Sequence, residues 1–63
     1  MQTMTLKQTP KGEYVKRTAT AKTVYVRGEY DPGTKRYSLI DAEDINREIF
    51  LKGNTPVFVG FEY

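Results

Sequence analysis

The chain has 63 residues, neither cysteine nor histidine, and a formal net charge of +2 at pH 7. That length allows one domain with a small core and marginal stability, and the composition excludes a disulfide framework and a zinc site built from Cys and His. No apolar run approaches the roughly 20 residues that span a bilayer, and the first nine residues lack the pattern of a secretory leader, so a cytoplasmic protein without membrane attachment is expected.

The charge is unevenly placed. Residues 1–36 carry eight basic side chains against three acidic ones, and residues 37–63 carry two against five. A basic face for nucleic acid would produce such an asymmetry, and interleaving of the charges in space would erase it.

Residues 1–9 are polar, rich in Thr and Gln, and without periodicity, which predicts a flexible lead-in to a single domain over 10–63. Glu13 to Arg17 is a short strand, and Thr18 to Lys22 a loop. The segment from Thr23 to Ile40 then reads as a β-hairpin around Asp31-Pro32-Gly33-Thr34. An L-Pro-Gly pair favours a type II turn, whose twist fits a two-residue hairpin poorly, so a four-residue loop is expected. The register that best sorts the faces sets Val26 opposite Leu39, Gly28 opposite Tyr37 and Glu29 opposite Arg36. It places Val24, Val26, Tyr30, Tyr37 and Leu39 on one face and Tyr25, Arg27, Arg36 and Ile40 on the other.

Asp41, Glu43 and Asp44 have the marks of a helix start, a capping carboxylate followed by negative charge. A helix continuing to Lys52 would leave Phe50 and Leu51 off the apolar stripe, so a short helical turn near 41–46 followed by a strand over 47–52 is preferred. A turn at Gly53-Asn54-Thr55 would pair that strand with Pro56–Val59, setting Leu51 against Val57, Ile49 against Val59, and Phe50 against Phe58 on the reverse side. The sum is a mainly β domain. Its expected architecture is a small five-stranded antiparallel, partly open SH3-like barrel, with Val26, Leu39, Val57 and Val59 in the core.

Little in the sequence carries chemistry. Ser38 lies mid-strand with no histidine to activate it, and the glycines are too dispersed for a phosphate loop, so neither an enzyme nor a cofactor site is expected. The carboxylates Asp41, Glu43, Asp44 and Glu48 lack the alternating spacing and central Gly of a calcium loop, and no metal site is assigned to them. Five tyrosines suit strands and need no functional role.

Two binding readings follow. Basic residues beside aromatic rings on a β-sheet suit single-stranded nucleic acid, where rings stack on bases and cations track phosphates; the candidates are Lys16, Arg17, Lys22, Tyr25, Arg27, Lys35 and Arg36. The alternative is a protein-interaction module or homodimer. It would use Tyr25, Ile40, Phe50 and Phe58 on the face away from the core, or an open strand edge. The first reading is preferred, with monomer and homodimer both open.

Overall fold

A computed structural model covers residues 1–63 and shows a mainly β protein with six antiparallel strands: β1 (Gln2–Thr5), β2 (Tyr14–Val15), β3 (Tyr25–Asp31), β4 (Arg36–Asp41), β5 (Asp44–Lys52) and β6 (Pro56–Val59). They form a four-stranded sheet, β2-β3-β4-β5, and a two-stranded sheet, β1-β6. The two are stitched at one point. Lys16 donates its N–H to the Phe58 carbonyl at 2.9 Å, and Phe58 donates back to Lys16 at 2.8 Å. The result is a curled surface that does not close into a barrel, and six strands replace the expected five.

The inner face of the curl holds the core. Leu6, Val15, Leu39, Val57 and Val59 are buried together, with Met4, Tyr25, Tyr37, Ile49 and Leu51 packed around them. Leu39, Val57 and Val59 match the expected core, whereas Val26 is only half-buried and sits on the outer face opposite Ile40. Leu6 was not expected there. The predicted lead-in over 1–9 is ordered instead: β1 pairs with β6, setting Gln2 opposite Val59 and Met4 opposite Val57. A single 3-10 turn, Leu6–Gln8, follows and drops Leu6 into the core. Its backbone is tied down by Leu6 N–H to the Thr55 carbonyl and Lys7 N–H to the Gly53 carbonyl, at 3.0 and 2.9 Å. A polar strand can hold its place in this way because backbone ladders need no particular side chain.

The hairpin forms with the expected four-residue loop, but shifted by one residue. The loop is Pro32–Lys35, and Asp31 pairs with Arg36 inside the ladder. Asp31 organises it twice over: its carboxylate accepts the Gly33 N–H at 2.9 Å and its carbonyl accepts the Lys35 N–H at 2.7 Å. Lys35, not the glycine, takes the left-handed conformation, with φ 58°. A bulge then places Gly28 and Glu29 against the single residue Ser38, so that Val26 faces Ile40 and Arg27 faces Leu39. The expected pairs Val26–Leu39 and Glu29–Arg36 are therefore corrected. Because side chains alternate, the slip moves Tyr25 and Arg27 to the inner face and Val26 to the outer one.

No helical turn occupies 41–46. Asp41 does act as a cap, but its carboxylate accepts the Glu43 N–H at 2.9 Å across a tight turn, Ala42-Glu43, that joins β4 directly to β5. Asx-turn geometry satisfies the same carboxylate that a helix start would. Neither turn residue has positive φ, so the turn twist does not match that of the strands. The ladder restarts irregularly: Asp41 faces Asp44, but the next pair is Ile40 with Glu48, leaving Ile45, Asn46 and Arg47 bulged outward. From Glu48 to Lys52 the pairing with β4 is regular, and β5 pairs with β4, not with β6. The expected Leu51–Val57, Ile49–Val59 and Phe50–Phe58 pairs do not form.

Candidate functional site

Six of the seven residues expected to form one basic face separate into two groups. Arg17 and Tyr25 meet at the loop end of the sheet, where they line an open groove with Thr18, Ala21 and Thr23. Lys22 is exposed in the same loop. Lys16, adjacent in sequence to Arg17, is half-buried with its ammonium 4.7 Å from the centroid of the Phe61 ring, a cation–π contact. Lys35 and Arg36 lie at the opposite, turn end of the hairpin. Arg36 lines a second hollow there, with Asp31, Thr34 and Phe50. Between the two groups run five strand residues, about 17 Å at roughly 3.3 Å per residue.

Arg27 belongs to neither group. It lies on the inner face, its guanidinium 4.4 Å from the centroid of the Tyr37 ring, and Nη1 donates to the Gly28 carbonyl at 2.7 Å. Its Nε is buried without a partner. The guanidinium is thus held by a ring and a carbonyl on the inner face.

The four proposed interface residues are also dispersed. Tyr25 packs against the core. Ile40 and Phe50 share the outer face of β4 and β5, where Phe50 is 45% exposed. Phe58 is half-buried on β6, separated from them by β2 and β3.

The outer face has a second set of contacts that the sequence did not reveal. Ser38 Oγ donates to the Glu48 carboxylate, beside Gly28, whose missing side chain leaves the room that Ser38 fills. Residues after β6 shield the β2 side: Phe61 lies under Lys16, and the Tyr63 ring lies 5.0 Å from that of Tyr14. Desolvation against this surface pushes the Tyr63 phenol above its ordinary pKa, with Glu43, Tyr14 and Asp41 adding to it. A glycine inside a strand was the available signal for the bulge that rearranged these faces.

The carboxylate cluster does not converge. Asp41 caps its turn, Asp44 accepts the Asn46 N–H at 3.0 Å, and Glu48 is held by Ser38. No group of three or more acidic side chains is placed to hold a metal ion. No helix is long and apolar enough to cross a membrane. No protein-family model, curated protein or solved structure matches the chain.

Proposed function

We propose that this protein is a small non-enzymatic binding module of a reducing cytoplasm that takes single-stranded nucleic acid at the loop end of its sheet. The observation that carries this reading is the groove formed by Arg17, Thr18, Ala21, Thr23 and Tyr25, which pairs a guanidinium and two hydroxyls with an aromatic edge and has no carboxylate in its lining. A phosphate would be met by Arg17 and Lys22, and a base edge or ring by Tyr25. The turn end, where Asp31 accompanies Arg36, is less suited to a polyanion.

The test is fluorescence anisotropy with labelled single-stranded and duplex oligonucleotides across a salt series. Arg17→Gln and Lys22→Gln should each weaken single-strand binding and reduce the log–log salt slope by about 0.7 per lost phosphate contact. Lys35→Gln should change neither. Equal losses at both ends, or no binding at low salt, would reject the groove.

The alternative, a protein-interaction surface, is supported by a separate observation: Phe50 is 45% exposed on the outer face at the open edge of β5, beside the half-buried Ile40 of β4. A displayed library of extended peptides, selected on the protein and counter-selected on Phe50→Asp, tests it.

A further inference from the structure

The four-stranded sheet leaves one edge of β5 unpaired. β5 ends the four-stranded sheet, and no backbone hydrogen bond outside the strand ladders uses residues 44–51. Its first half is blunted by the outward bulge at Ile45, Asn46 and Arg47, so the regular edge is Glu48-Ile49-Phe50-Leu51-Lys52.

That five-residue run is self-complementary when read antiparallel. Two strands related by a two-fold axis perpendicular to their common sheet must have one residue facing its own copy, because only then do opposed side chains share a face. Centring the axis on Phe50 sets Glu48 opposite Lys52 twice, Ile49 opposite Leu51 twice, and Phe50 against Phe50. The acidic and basic residues then meet on the outer face, flanking the two rings, while the aliphatic pairs meet on the core side. Other centres lose the match. An axis at Ile49 opposes Glu48 to Phe50, one at Leu51 opposes Phe50 to Lys52, and one at Glu48 brings two carboxylates together. Phe50, 45% exposed on the outer face, becomes the middle of the contact.

We infer that the protein forms a two-fold homodimer by antiparallel pairing of Glu48–Lys52 with the same segment of a second copy, extending the four-stranded sheet to eight strands. The inference rests on the interface reading above, and it leaves the Arg17–Tyr25 groove free, since that groove lies on the β2–β3 side of the sheet. Five residues a side is a small contact, so the dimer is a weak one that fills only at high concentration.

Sedimentation equilibrium of the whole chain from micromolar to millimolar concentration tests it. The protein should pass from monomer to dimer. Glu48→Lys and Lys52→Glu each place like charges at both symmetric positions and should weaken the dimer by about tenfold or more. Mixed together, these two variants should form a heterodimer, because each carries what the other needs; that recovery also shows that both are folded. A monomer throughout, or a dimer that ignores both reversals, overturns the inference. The peptide selection separates the two failures: a monomer whose selected peptides require Phe50 rejects self-pairing and keeps the interface, and a monomer that selects none rejects both.

Discussion

The two faces of the four-stranded sheet are built from the same strands with the same alternation, and only one of them is a core. On the inner face Leu39, Ile49, Leu51 and Tyr37 are closed over by β1, β6 and the turn that carries Leu6. On the outer face Ile40 and Phe50 alternate with Ser38, Glu48 and Lys52, and the residues after β6 put Tyr63 on Tyr14 and Phe61 under Lys16 while Phe50 stays 45% exposed. Apolar character in a strand thus does not by itself make a core residue. What decides is whether another layer is available to remove that face from water.

Truncation across the two faces should show the difference most strongly. Leu39→Ala, at 0% exposure in the centre of the inner cluster, should cost about 2–4 kcal/mol, enough to unfold much of the population of so small a domain. Chemical denaturation followed by far-UV circular dichroism measures it, and an unchanged midpoint would place the core elsewhere. A smaller effect is expected where the faces communicate. A Cβ at Gly28 would lie 3.0 Å from Ser38 Oγ and 3.2 Å from Ser38 Cβ, so Gly28→Ala should cost about 1–2 kcal/mol through overpacking. Adding Ser38→Gly should recover part of that loss, which a double-mutant cycle would reveal.

Phe50→Ser should move stability by about 0.5 kcal/mol or less, as solvent-facing substitutions do, when measured at micromolar concentration where self-pairing is not populated. A core-sized loss there would make the outer face a second core. The smallest effect concerns Lys11 and Glu29, an exposed ion pair between the turn before β2 and strand β3. The Lys11 hydrogen bond and charge hold the Glu29 carboxyl below its ordinary value of 4.5, against desolvation and with a lesser contribution from Arg27. Its contribution is therefore present above the unfolded-state pKa and lost as pH falls through the folded one. Glu29→Gln should flatten that part of a stability–pH curve by lowering the neutral-pH midpoint slightly and leaving the acid end unchanged, since exposed pairs stabilise little.

The local elements were legible in the sequence because their signals are local. Alternation from Thr23 to Ile40, a turn rich in Asp, Pro and Gly, and the apolar run at Ile49–Leu51 each specify a strand or loop without reference to the rest of the chain. The exact register was not, because it depends on whether Asp31 lies inside the ladder or in the loop, and on an extra residue beside Gly28. The first moves the partner of Tyr30 by two, from Lys35 to Tyr37, and the second takes one back, and the net one-residue slip transfers Arg27 from the outer face to a contact with the Tyr37 ring. Pairing between distant segments was illegible altogether. Nothing in Gln2–Thr5 announces a strand, and Gly53-Asn54-Thr55 reads as a hairpin turn although it sends β6 away from β5 to meet β1. Of the candidate site, the proximity of Arg17 and Tyr25 followed from their places at the ends of one short loop, and the rest depended on the register.

The pairing of β1 with β6 also sets an order of events in time. β3, β4 and β5 are joined by short loops, so their contacts close with little loss of chain entropy, whereas Gln2 must find Val59 across almost the whole length of the chain. The meander should therefore be in place in the folding transition state, and the β1–β6 ladder should form after it. Substitutions at Val57 would then act on the rate of unfolding and leave the rate of folding nearly untouched, which makes that last-formed ladder the place where the lifetime of the native state is set.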